Sequence, residues 1–152
     1  MASAVPFFGN FNFLVEIEDL TGDSTSVVGG FSRVSGIESR SEIVEHRVGS
    51  SPHVHKLQGK TRFGNILLEK GCTASGDLYD WRRRIENGEE DRRSGSIILL
   101  DGNMKEQARF NFFDAWPCRY EAPVLDASDT AISIEKLELV VSRVERVEPK
   151  AK

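Results

Sequence analysis

The 152-residue chain predicts a mainly β fold (α+β) with one α-helix: an antiparallel barrel, or two packed sheets with the helix covering an open side. Three observations lead there. Short runs of alternating apolar and polar residues recur along the chain, turn residues separate them at hairpin spacing, and only one stretch carries a helical period. The count is six to eight strands.

Taken in order, FNFLVEIE (11–18) places Phe11, Phe13, Val15 and Ile17 on one face and Asn12, Glu16 and Glu18 on the other, with Leu14 the exception. That is a half-buried strand. Thr21, Gly22, Asp23 and Ser24 make a turn, after which 27–34 returns antiparallel as a hairpin, with Gly29-Gly30 marking a bulge. The stretch 37–48 sets Ile37, Ile43, Val44 and Val48 among Glu38, Arg40, Glu42, Glu45, His46 and Arg47. It is too polar for burial on both faces and reads as an exposed or edge strand. From 49 to 60, GSSPHVHKLQGK brings Pro52, Gly59 and no sustained period, which predicts a long loop. Ile66, Leu67 and Leu68 form a short buried strand ending at Gly71.

The helix falls at about 76–87. Ser75 is the expected N-cap, and Leu78, Trp81 and Ile85 line one apolar stripe. Asp77 and Asp80 near its start and Arg82, Arg83 and Arg84 near its end suit the macrodipole, and Gly88 is the expected C′ residue. Glu89 to Arg93 reads as an exposed, mixed-charge connection. A hairpin then joins Ile97–Leu100 to Arg109–Phe113 around Asp101, Gly102 and Asn103, and Ala115-Trp116-Pro117 ends its second strand, the indole of Trp116 plugging one end of the core. After an irregular 122–130, the stretch 131–144 alternates on one parity at Ile132 and Ile134 and on the other at Leu137, Leu139 and Val141. That switch predicts a bulge near Glu135 and Lys136. The whole reads as one domain, 1–152, with flexible ends at about 1–8 and 148–152.

A net charge of −4 with Arg interleaved among Glu leaves no basic footprint for sequence-specific nucleic-acid binding. No stretch approaches the roughly 18 apolar residues of a membrane span, so a soluble chain is expected, with no membrane insertion by this subunit alone. Cys72 and Cys118 form no CxxC and read as free thiols in a reducing compartment. His53 and His55, two apart, point the same way in an extended chain, but no third ligand follows them, so neither metal nor cofactor is expected. No GxSxG, GxGxxG or P-loop pattern occurs, and Glu89-Glu90 sit in a charge run. Enzymatic chemistry has no assembled set here. What remains is an edge strand with paired charges and a loop without internal reason for order, a combination that points to assembly.

The order and spacing of these stretches resemble the inner tail-tube proteins of contractile phage tails and related contractile injection systems. The likeness runs from Phe11 to about Val147 through FNFLVEIE, GGFSRVSGIE, EIVEHRVG, KLQGKTRFGNILLEKG, DLYDWRRRIENG, AWP, APVLDAS and IEKLELVVSRVERV. It departs at 50–55, where SSPHVH replaces a more Gly- or Asp-rich stretch. The resemblance implies two orthogonally packed sheets in a barrel-like sandwich, six-membered rings joined by continuous β-structure around a lumen, and stacking of rings into a tube. It implies that the segment matching Val44–Leu57 reaches the next ring, with Ile43, Val44, Glu45, His46, Arg47, His53, His55 and Lys56 as interface candidates. Implied partners are other copies of the chain, a contractile sheath protein, baseplate and spike proteins, a tape-measure or terminator protein, and cargo protein or DNA in an acidic lumen. Such a subunit is made in the cytoplasm and built into a virion tail or phage-tail-like particle. A baseplate initiator ring, a terminator ring or a type VI secretion ring protein would share the fold. The reading from another class is a monomeric small-ligand barrel using His53, His55 and Trp116.

Overall fold

In a computed structural model the described residues are 13–18, 26–28, 31–71 and 76–149. The expectations for Phe11, Asn12, the turn at Thr21–Ser24, the Gly29-Gly30 bulge, Cys72, Ser75 and the tail Lys150–Lys152 lie outside them. The elements in order are β1 (Phe13–Ile17), β2 (Ser26–Val28), β3 (Phe31–Ser35), β4 (Ser39–His46), β5 (His55–Phe63), β6 (Ile66–Gly71), α1 (Asp77–Glu86), β7 (Arg93–Leu100), β8 (Glu106–Glu121), β9 (Ile134–Val140) and β10 (Arg143–Val147). Ten strands therefore stand among the described residues, more than the sequence pattern marks.

Eight strands run in the order β2-β1-β7-β8-β9-β6-β3, with β10 also paired to β8, and every pairing is antiparallel. The long strand β8 belongs to two layers. Its first part pairs with β7 and β10, and from Trp116 onward it pairs with β9. Between them Asp114 takes φ 53°, and Ser142 closes the corner by donating its N–H to the Phe113 carbonyl at 3.0 Å. The inner faces of the two layers then meet. Val15, Ile17, Ile97 and Phe112 come from one, Ile66, Leu68, Leu137 and Leu139 from the other, and all are buried in one cluster with Leu78 and Trp81 of the helix. The path ends at β2 and β3 without closing, so the fold is a packed pair of sheets and not a barrel among the described residues.

The helix is where the stripe places it. Leu78 and Trp81 are buried and Ile85 is half-buried. Its N-cap is Gly76, without a side-chain cap hydrogen bond, one residue later than the expected Ser75. The C-terminus is a Schellman motif: Gly88, at φ 85°, donates to the Ile85 carbonyl and Glu89 to that of Arg84. The connection after it is less solvated than its charges imply. Asp91 accepts from Arg84 Nε at 2.6 Å and Arg93 Nε at 2.9 Å, while its carbonyl takes the Trp81 indole N–H at 2.9 Å.

Four further expectations change. The stretch 27–34 is not one returning strand, since β2 pairs with β1 whereas β3 crosses to the edge beside β6. The strand containing Trp116 and Pro117 does not end there. Pro117 is fully buried opposite Leu139, and the ladder absorbs its missing N–H by a register shift before Arg119. Trp116 is half-buried, and Trp81 is the indole that fills the core. No shift occurs on β9 at Glu135-Lys136: Glu135, Leu137, Leu139 and Val141 keep one inward parity, Ile132 and Ile134 stay outside, and the chain breaks at Val141-Ser142 instead.

Candidate interaction surface

The largest correction concerns 49–60, the second half of which is strand. Residues His55–Phe63 form β5 and pair with β4 in a separate two-stranded ribbon, leaving only 47–54 as its connecting turn. A strand exposed on both faces has no apolar period to display, which is why the pattern there reads as loop. The ribbon is fixed at its base. Gly64 donates to the Glu38 carbonyl at 3.0 Å, and Ile37 and Phe63 pack against the core. Gly36, at φ 87°, lets the chain enter β4 where a Cβ would collide with the Asn65 carbonyl oxygen.

Beyond the base the ribbon stands free. Every residue of β4 is exposed, as is every residue of β5 except Gly59 and Phe63. The register sets Ile43 opposite Gln58, Val44 opposite Leu57, Glu45 opposite Lys56 and His46 opposite His55. Since side chains alternate along a strand and cross-strand partners share a side, Val44, Leu57, His46 and His55 occupy one face and Ile43, Gln58, Glu45 and Lys56 the other. Arg47 and His53 lie in the turn, which Ser51 closes by donating its N–H to the Val48 carbonyl at 2.9 Å. All eight candidates are thus on the ribbon or its tip.

Ile43 is 70% exposed and Leu57 54%. Ordinary single-chain surfaces carry such residues singly, but here apolar groups cluster on a ribbon that no other part of the described chain covers. A two-stranded ribbon of this kind is marginal in water without a surface against it. Closer to the base, Ser41 and Thr61 hydroxyls hydrogen-bond at 2.8 Å and Arg62 pairs with Glu42 at 3.3 Å, both in solvent.

Chemistry finds no assembled set around these residues. Among the described residues no three His, Cys, Asp or Glu side chains gather as a metal site. Burial, the hydrogen bond to Glu138 and that carboxylate's charge push the Cys118 thiol up to about 11, so it stays protonated. Trp116 lies in β8 opposite Val140, in a different sheet from His55, and open grooves of about 580, 410 and 370 Å³ are lined by neither Trp116 nor His53 and His55. Among the described residues no helix is long and apolar enough to cross a membrane.

One surface went unmarked by the sequence pattern. Val124 and Leu125, between Pro123 and Asp126, are 86% and 85% exposed and Ile132 is 81% exposed. The only signal in the sequence is an apolar pair inside an otherwise turn-like stretch.

A family model described as T4-like virus tail tube protein gp19 matches residues 9–145. No curated protein is matched by sequence. Among solved structures, a chain of the PVC sheath-tube complex, an extracellular contractile injection system in its extended state, is 23% identical with a TM-score of 0.81, covering 93% of this chain and 91% of that one. A chain of the anti-feeding prophage (AFP) baseplate is 22% identical with a TM-score of 0.83, covering 99% and 100%. Hcp1 from Flavobacterium johnsoniae is more distant, at 16% identity and a TM-score of 0.53 over 91% and 98%.

Proposed function

The chain belongs to the T4-like virus tail tube protein family, and from that premise we propose that it is the structural subunit of the inner tube of a contractile tail or injection particle. In this role it is not an enzyme. Copies join into six-membered rings, rings stack around a lumen that passes DNA or protein, and a contractile sheath, a baseplate with its spike, and a terminator or tape-measure protein are its partners. The subunit is made in the cytoplasm and ends in the particle.

The observation that carries this reading is the free ribbon. Covering Ile43, Val44 and Leu57 would stabilise a contact by about 1.5–3 kcal/mol for each side chain fully buried. The edges at β2 and β3, which no described strand covers, add backbone groups that neighbours in a ring would satisfy. The candidates Ile43, Val44, Glu45, His46, Arg47, His53, His55 and Lys56 act in this reading as the contact between rings.

Replacing Ile43 or Val44 by Pro removes a ladder N–H from the ribbon without touching the core. The expected outcome is a soluble protein with unchanged core melting that no longer forms stacked tubes by negative-stain electron microscopy. Wild-type tubes from both variants would remove the ribbon from the contact. A second reading, a baseplate initiator ring of the same fold, draws on the likeness to the AFP baseplate chain. A sheath gene beside a single copy of this gene favours the tube, whereas two paralogues in one cluster open the initiator role.

A further inference from the structure

We propose that the groove formed by residues 124–136 is the seat for the β4–β5 ribbon of a second copy, with the Val44–Leu57 face inserted. The inference rests on the ribbon acting as a contact between copies and adds the surface that receives it.

The groove, of about 580 Å³, is lined by Val124, Leu125, Ile132 and Ile134 together with Asp126 and Asp129. Its shape is set before any partner arrives. Asp126 Oδ1 accepts from the Ser128 N–H at 3.0 Å and hydroxyl at 2.7 Å, and Asp129 Oδ1 accepts from the Ala131 N–H at 2.9 Å. The hydrogen bonds from Ser128 hold the Asp126 carboxyl below the usual carboxylate range, so it is charged at neutral pH. Lys136, the groove's one cation, is drawn toward Glu69 at 3.5 Å.

Charge selects the occupant. Residues 122–133 hold two Asp and no Lys or Arg, whereas 39–63 hold five Lys or Arg against two Glu. Apolar pairing selects the face. The side carrying Ile43 sets it opposite Gln58 and follows it with the Glu45–Lys56 pair, whereas the other side sets two apolar residues, Val44 and Leu57, directly opposite each other and has no carboxylate at its free end, where His46 faces His55. Glu42, nearer the base, is taken by Arg62.

Each copy carries one ribbon and one groove, so the contact can be made head-to-tail, which propagates as a stack wherever its rotation does not close a ring. The ribbon's own base is fixed beside Ile37 and Phe63, and Val124 and Leu125 remain exposed in the single chain. The seat is therefore filled from another molecule.

Two full-length variants in a Cys72→Ser background, Val44→Cys and Leu125→Cys, test this directly, with Cys118 left in place because its thiol stays protonated. Mixed under mild oxidation, they are expected to form a disulfide-linked heterodimer, and neither variant alone should do so. Leu125→Asp is expected to raise the concentration needed for half-assembly by about tenfold or more. Asp126→Asn with Asp129→Asn, which keeps the turn acceptors, should raise it by a smaller factor. If Ile43→Pro abolishes stacking while Leu125→Asp tubes match wild type and no crosslink forms, the groove is not the seat and the ribbon reading stands. If neither variant changes assembly, both fall. Leu125→Asp tubes that form normally but fail to take a sheath would overturn the proposal in favour of the sheath as occupant.

Discussion

Asp91 shows how much a single charged residue can hide in a polar run. Burial, the largest single influence on it, raises its pKa, but the hydrogen bonds and charges of Arg93 and Arg84 outweigh that and leave it lowered. A lowered folded pKa means that the stabilisation is complete above the unfolded carboxylate value of about 4 and is lost as pH falls through the depressed folded one. Asp91→Asn is expected to cost about 1–3 kcal/mol at neutral pH, measured by denaturant unfolding, with the gap to wild type narrowing below about pH 4. A gap constant with pH would mean that the carboxylate's charge does not tie the helix C-terminus to β7. Nothing in GEEDRR reveals this role, because the partners are set by where Trp81 places its indole. Trp81 itself was legible, its spacing from Leu78 and Ile85 being enough. Trp116 was not, since a tryptophan before a proline reads as a strand end whereas the fold carries β8 straight through.

Elements with a buried face were mostly legible, and of the two strands of the exposed ribbon β4 was read as an exposed or edge strand whereas β5 was read as loop. β1, β6, β7 and α1 follow from period and punctuation, because one face of each meets the core. β5 does not, having two solvated faces, and the parity change before β9 reads as a bulge because Ile132 and Ile134 are apolar yet outside. The candidate residues on 43–56 are all exposed, but their arrangement came only with the pairing: Val44 against Leu57, His46 against His55. The ribbon's launch depends on Gly36. Gly36→Ala imposes both a left-handed φ on alanine and a collision with the Asn65 carbonyl, and should destabilise the protein by about 1–3 kcal/mol. Thermal melting of the variant checks it, and an unchanged midpoint would mean that the chain can enter β4 by another path.

At the scale of the molecule, two features matter together: a sheet path that among the described residues ends open at β2 and β3, and two separated apolar surfaces of opposite charge on one chain. The −4 net charge conceals the second, because the ribbon is basic and the remainder correspondingly more acidic. The sequence marks an edge without internal protection, which points to assembly, and the family membership agrees with that reading. The receiving surface was not legible, since its apolar residues sit in a segment without period. The most direct measurement is negative-stain electron microscopy, with light scattering, of the purified full-length protein across a concentration series at moderate salt. A tube subunit should give rings or stacked tubes with a central hole as concentration rises, and a strictly monomeric species at the highest concentration would contradict it.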